Sequence, residues 1–250
     1  MKNKPLLSRF LERVKDAFFP VRCPFCGQPL LREESCCSDC RPRLAAVDAS
    51  KTCPRCGKQS CVCGPVPALE MTRCCFYYEG LAQEAVRSLK FRHRPGAALG
   101  LGGFMAEAVR EGGRTWDLAV PIPMTAKKRR RRGYNQAELL CRSMAERLGM
   151  PAASALKKIR ETKAQHTLDA RERAHNLAGA YAADPKLVEG RRVLICDDVL
   201  TTGATLREAA AALLRSGALE VGAVTVCCVE RGYAGEPAAE NAGNPGENRR

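Results

Sequence analysis

An α/β fold, with a parallel sheet flanked by helices and a small cysteine-rich module in front of it, is what this sequence predicts. Three observations carry that reading. Strand-like apolar runs alternate with helix-period stretches, and strand, helix, strand in succession makes a βαβ unit whose strands run parallel. Aliphatic residues are plentiful while aromatics supply only 5% of the chain, which suits a layered α/β core better than a sandwich. Nine of the 15 cysteines fall between Cys23 and Cys63, set apart from the rest. At 250 residues there is room for one α/β domain and a smaller unit.

Taken in order, residues 1–20 read as an amphipathic helix. Leu7, Phe10, Leu11, Val14 and Phe18 share one face, and Pro20 stops it. It suits docking on the rest of the chain, with a membrane-surface helix as the lesser alternative. Residues 21–66 hold the cysteine module, and Pro65 and Pro67 suggest a linker. The second domain spans 67–230. RCCFYYEG is a strand ending in a turn, and LAQEAVRSLKF a helix with Leu81, Ala85 and Leu89 inward. A Gly-rich helix and loop follow, to about Gly113. DLAVPIP, 117–123, is a buried strand. GYNQAELLCRSMAERLG is a helix with an apolar stripe of Ala137, Leu140, Cys141, Met144 and Leu148, closed by Gly149.

Residues 157–176 are polar, of mixed charge, and read as a loop with a short helix. RRVLICDD is a strand, ATLREAAAALLRSGA a helix with Leu206, Ala209, Ala210, Leu213 and Leu214 inward, and VGAVTVCCV the last strand. Residues 231–250 are poor in apolar side chains and are expected to be disordered. No apolar run approaches the ~20 residues of a membrane span, and the N-terminus lacks a clean apolar signal core, so a cytoplasmic location is expected. The net charge of +14 predicts attraction to polyanions such as nucleic acid, a membrane surface or phosphate-rich substrates, or else a basic surface without a specific partner.

The cysteine spacing is Cys23-x2-Cys26, Cys36-Cys37-x2-Cys40, Cys53-x2-Cys56 and Cys61-x-Cys63. Thiolates two residues apart can share one tetrahedral metal from a tight turn, and Gly27 and Gly57 allow that turn. Cys36 is the spare, because Cys37 gives the x2 spacing to Cys40. The pattern predicts two zinc ions held by Cys23, Cys26, Cys37, Cys40, Cys53, Cys56, Cys61 and Cys63. Four thiolates per ion leave no open position, so the zinc is structural. Which pairs share an ion stays open. A reduced or redox cluster is the alternative, although no CxxC sits at a strand–helix junction. Cys74, Cys75, Cys141, Cys196, Cys227 and Cys228 lie in apolar stretches and read as small buried hydrophobes.

VLICDDVLTTGATL, 193–206, is the most informative stretch. An apolar strand ends in two carboxylates, a loop of Thr and Gly follows, and a helix begins. Ligands bind at the carboxyl ends of strands in open α/β sheets, and helix N-termini offer amides to phosphate. Asp197 and Asp198 can accept hydrogen bonds from the vicinal hydroxyls of a sugar. Thr201, Thr202 and Thr205 add donors, and Gly203 allows close backbone approach. The stretch suits a ribose 5-phosphate. The plainer alternative is a Thr helix cap beside a solvated acidic turn.

Lys127, Lys128, Arg129, Arg130, Arg131 and Arg132 form a run of six cations that repel one another, so an exposed loop or helix start is expected. They read as a solvated face, as a neutraliser of pyrophosphate, or as a grip on a nucleic-acid backbone. The last two are compatible, and Lys127 to Arg131 are the candidate DNA contacts. Tyr134 reads as a packed side chain more readily than as a base-stacking one. His93, His166 and His175 show no mutual metal spacing.

The cysteine pairs, RGYNQ, TxxQ and DDVLTTGAT stand here in an order that resembles the ComF family over most of residues 21–231, and DDVLTTGAT resembles the 5-phosphoribosyl-1-pyrophosphate (PRPP) signature of type I phosphoribosyltransferases. The resemblance implies a type I phosphoribosyltransferase-like sheet behind a zinc module. It places ribose hydroxyls on Asp197 and Asp198, and the 5′-phosphate on Thr201, Thr202, Gly203, Ala204 and Thr205. Arg132, Gly133, Tyr134, Asn135 and Gln136 would line the site, with Arg160, Thr162, Gln165, Arg173 and Asn176 on a covering loop. It further implies Mg²⁺ with PRPP, and DNA uptake through handling of single-stranded DNA alongside the uptake helicase machinery. Phosphoribosyl transfer to an unidentified acceptor is the alternative, and no catalytic residue is assigned.

Overall fold

The computed structural model describes residues 21–229 apart from 32, 60, 62, 64–68, 93 and 161–178. The expected helix at 1–20, the Pro65–Pro67 linker, the tail after residue 230 and most of the polar loop lie outside the described residues.

Four parallel strands make the main sheet: β1 (Met71–Tyr77), β2 (Leu118–Pro121), β5 (Arg192–Leu200) and β6 (Glu220–Cys228), in the order β1-β6-β5-β2. Between β1 and β2 run α1 (Gly80–Phe91) and α2 (Ala97–Glu111); after β2 come α3 (Ala126–Arg132) and α4 (Gln136–Leu148). A small antiparallel pair, β3 (Leu156–Lys158) and β4 (Tyr181–Ala183), precedes the short α5 (Pro185–Val188). The helix α6 (Ala204–Arg215) joins β5 to β6. Both faces of the sheet are covered. On β5, Leu194 and Cys196 pack into the layer of α1, α2 and α4, while Val193 and Ile195 pack into the layer of α6 and β3–β4. A parallel strand buried on both faces needs such a continuous apolar run.

Local chemistry sets the ends of the helices that matter for the site. Thr125 caps α3 by accepting from the Lys128 amide at 3.4 Å, and Gly133, at φ 84°, turns the chain out of it. Asn135 is buried. Its amide donates to the Ile122 carbonyl at 3.0 Å while its oxygen accepts from the Ala137 amide at 3.1 Å, fixing α4 to the end of β2.

The cysteine module lies against the first layer. Its residues 45–47 run along the outer edge of β1, where the Tyr77 amide donates to Ala45 and the Val47 amide to Cys75. An otherwise open sheet edge is covered in this way. Phe25 of the module meets Phe76 and Phe104 in a cluster of rings 4.9–6.2 Å apart. On α2, a Cβ at Gly100 would lie 2.4 Å from the Ser35 carbonyl, and one at Gly102 2.6 Å from Ser143, so both neighbours approach the bare helix backbone.

Several expectations change. The strand β5 runs on through Val199 and Leu200, opposite Cys227 and Cys228, so the two acids lie within it rather than at its end. The basic run is a complete helix, α3. Lys157 and Lys158 belong to β3, not to a loop. Leu214 is 39% exposed, facing away from the core, while Leu81 and Leu148 are half-buried. The six scattered cysteines are all buried, as their apolar surroundings imply. No described helix is long and apolar enough to cross a membrane.

Candidate functional site

The thiols gather into two quartets: Cys23, Cys26, Cys37 and Cys40, and Cys53, Cys56, Cys61 and Cys63, each with its sulfurs within 4.8 Å of one another. Neighbouring pairs therefore share a site. Cys36 is buried outside the quartet. Tight turns build both: Gly27 and Gly57, at φ 83° and 68°, return amides to the Cys23 and Cys53 carbonyls at 3.0 and 2.8 Å.

A metal bound by four thiolates at ~2.3 Å sets its sulfurs ~3.8 Å apart. Cys26 and Cys37 lie 3.6 Å apart, and Cys53 stands 3.5 Å from Cys61 and 3.7 Å from Cys63. Both quartets can hold a metal ion, and all-thiolate tetrahedra are consistent with zinc. Burial works against the Cys23 thiolate, but the amides of Cys26, Cys37 and Phe25 outweigh it and bring its pKa down to about 7. Cys53 is likewise lowered to about 7 against its burial, by the Cys56 and Arg55 amides. Burial first, and then Cys61, push Cys63 up to about 12. Thiols gathered this closely are the ones a bound cation would deprotonate.

At the carboxyl end of β5, Thr201, Thr202 and Gly203 form the turn into α6. Gly203 takes φ 75°, no side chain caps the helix from that position, and the Thr202 hydroxyl accepts from the Ala204 amide at 3.3 Å. Arg207 donates to the Thr202 carbonyl at 3.1 Å and braces the turn. Asp197, Val199, Leu200, Thr201, Gly203, Thr205 and Leu206 line a small, shallow depression. Its floor is a helix start with free positive potential, suited to an anion.

The acidic pair divides across the strand, as alternation requires. Asp197 lines the depression, and its own Oδ1 accepts from the Asp198 amide at 2.8 Å. Although part of its side chain reaches the surface, it is densely enclosed. Burial first, then the charge of Asp198, raise its pKa to about 7. Asp198 is buried and meets Lys90 of α1 at 3.1 Å. Its other oxygen, Oδ2, is buried without a hydrogen-bond partner. Burial would lower the Lys90 pKa, but Asp198 and Asp197 outweigh it and raise the group above its usual value. A carboxylate paired to Lys90 through one oxygen, with the other oxygen buried and unmatched, is suited to a hydroxyl donor.

Lys90 is absent from the motif reading. One signal for it exists: Ala82, Val86 and Lys90 follow one another at i+4, so the lysine continues an apolar stripe. Arg132, Tyr134 and Gln136 come together around the last turn of α1. The Arg132 guanidinium contacts the Gln136 side-chain oxygen and lies over the Phe91 ring at 5.5 Å. The Tyr134 hydroxyl donates to the Leu89 carbonyl at 2.6 Å, so this ring is packed, as expected. Gly133 and Asn135 shape the chain here. Lys127, Lys128, Arg129, Arg130 and Arg131 are exposed along α3 and away from the depression's lining, with Arg129 3.6 Å from Glu138. Arg160 is exposed just beyond β3. Thr162, Gln165, Arg173 and Asn176, with His93, His166 and His175, lie outside the described residues.

Residues 95–240 match the family described as phosphoribosyl transferase domain. Over 224 residues the chain is 34% identical to DNA utilization protein YhgH of Salmonella typhi, covering 83% of this chain and 97% of that protein. It is 29% identical to competence protein F of Haemophilus influenzae, covering 82% and 95%, and 28% identical to competence protein ComFC of Bacillus subtilis, covering 74% and 80%.

Proposed function

Since this chain belongs to the ComF family and carries a phosphoribosyl transferase domain, we propose that it binds PRPP at the β5–α6 turn and acts in DNA uptake by handling single-stranded DNA in the cytoplasm. The observation that carries the first half is the turn itself. A carboxylate, three threonine hydroxyls and a left-handed glycine lead into a helix start that Gly203 leaves without a side-chain cap. The 5′-phosphate sits on Thr201, Thr202, Gly203, Ala204 and Thr205, while Asp197 and Asp198 accept from the ribose hydroxyls. Arg132 and the side chains beside it face the pyrophosphate, and Mg²⁺ accompanies that charge. The names of the relatives support the second half, together with the exposed cations of α3.

Calorimetric titration of PRPP with Mg²⁺ into native protein and into an Asp197→Asn/Asp198→Asn variant tests the sugar-phosphate site. Saturable binding lost in the variant is expected, and no binding by folded, metal-loaded native protein ends that reading. For DNA, affinity falls with salt in proportion to the phosphates contacted, at roughly 0.7 per contact on single strands. Neutralising all of Lys127 to Arg131 should flatten that slope. DNA binding absent at low salt would remove the second half.

The domain match favours a second reading, in which the same site transfers the ribose phosphate. An acceptor nucleophile bonds to the anomeric carbon as the bond from that carbon to pyrophosphate breaks, and pyrophosphate leaves with the electron pair. The protein's part is positioning and charge stabilisation. Pyrophosphate release that requires an added acceptor is the assay that separates transfer from binding alone.

A further inference from the structure

The two residues that end α1 face in different directions. Successive positions on a helix are turned by about 100°. Lys90 is turned inward to Asp198, while Phe91 is 63% exposed. Single exposed apolar side chains are ordinary. Phe91 differs in having a built partner: the half-buried Arg132 guanidinium lies over its ring at 5.5 Å, anchored on the other side by Gln136. Burial pushes the Arg132 guanidinium below its usual pKa, and the nearby charge of Asp198 works against that shift. One flank of the ring–guanidinium pair is therefore the Lys90–Asp198 contact at the sugar-phosphate site. The other is the exposed basic helix α3, which ends at Arg132.

From this juxtaposition we infer that Phe91 and Arg132 form a subsite for a nucleobase. A planar heteroaromatic ring finds there an aromatic face and a guanidinium plane, the two surfaces on which unpaired bases stack. Every base has such a face, so the subsite accepts bases with little sequence preference. The inference rests on the sugar-phosphate reading for its orientation: a base seated on Phe91 lies beside the ribose that Asp198 would hold. The base arrives either free, as the acceptor of a ribose phosphate, or as one unit of a single strand whose phosphates run along α3.

Fluorescence anisotropy at fixed salt tests this with a labelled oligothymidylate and an abasic oligonucleotide of the same length. Native protein should bind the oligothymidylate about tenfold more tightly than the abasic strand, the magnitude of one base–aromatic stack. Phe91→Leu keeps an apolar side chain and should lose that preference while keeping its affinity for the abasic strand; Phe91→Trp should restore it. Equal binding of the two strands by native protein, or an unchanged preference in Phe91→Leu, overturns the subsite.

Competition by free nucleobases in the presence of PRPP identifies the acceptor as the source of the base, and failure to compete identifies the strand. PRPP titration into Phe91→Leu keeps the two readings apart. Retained PRPP binding with lost base preference supports the subsite. Base preference in a native protein that takes no PRPP sinks the sugar-phosphate site and leaves the subsite standing.

Discussion

Lys90 meets Asp198 at 3.1 Å with both side chains largely withdrawn from water. Removing one partner of such a pair leaves an uncompensated buried charge. Lys90→Met should therefore cost about 3–5 kcal/mol in urea unfolding, with Lys90→Arg recovering part of it. Asp197 gives a pH signature. Its pKa rises from the ordinary 3.8 to about 7, through burial and the charge of Asp198, against the Asp198 amide and Lys90, which favour the ionised form. Tyr181 stands near enough on the α6 side for the Asp197 charge to raise its own pKa, after burial. Between those two values the folded chain holds a proton that the unfolded chain has released. Its contribution to stability is thus present below about pH 4 and is lost as pH rises to about 7. A ligand hydroxyl donates to the ionised form, so PRPP affinity should rise roughly tenfold between about pH 6 and 8, and Asp197→Asn should flatten that profile. A flat native profile would show that Asp197 does not accept from the ligand. The acidic pair was legible because two carboxylates beside TTGAT stand out. Lys90 was not, because a helix-period reading counts apolar positions and passes over a lysine among them.

At the scale of the element, α2 is built to be approached. A Cβ at Gly102 would meet Ser143 at 2.6 Å and the Met144 amide nitrogen at 3.0 Å, and a backbone atom cannot swing aside. Gly102→Ala should lower stability by about 1–3 kcal/mol, read from its denaturant midpoint. Gly96→Ala, where nothing lies within 4 Å, should change it by less than about 0.5 kcal/mol. The long elements were legible: the helix over 136–148 shows a clear stripe, and the strand over 220–228 is a nearly continuous apolar run. The pair β3–β4 was not, since three-residue strands such as Leu156–Lys158 are too short to display an alternation. The continuation of β5 past the acids was hidden for a different reason. Adjacent carboxylates read as a strand end, and only the ladder to Cys227 and Cys228 carries the strand further.

At the scale of the molecule, the two cysteine quartets occupy unlike positions. Cys23, Cys37 and Cys40 are buried and belong to the hydrophobic layer that includes Phe76, Phe104 and α4, whereas Cys61 is exposed and Cys53 and Cys63 are half-buried. Elemental analysis should find two zinc ions per chain. Cys37→Ser and Cys61→Ser should each lose one, but Cys37→Ser should lower the melting temperature of the whole chain far more. Equal effects would mean that the first quartet is not integral to the core. The sequence made the count of sites legible; it left their pairing open because spacing alone does not say which turns meet in space. A last consequence follows from the strand order. The first of the described strands to leave the ribosome, β1, has β6 as its sheet neighbour, some 150 residues later, so Met71 waits for Gly222. Parallel pairing over such a separation is intrinsically slow. Translation halted before residue 220 would leave the inner edges of β1 and β5 bare together, and such a nascent chain is a client for chaperones rather than a shorter protein.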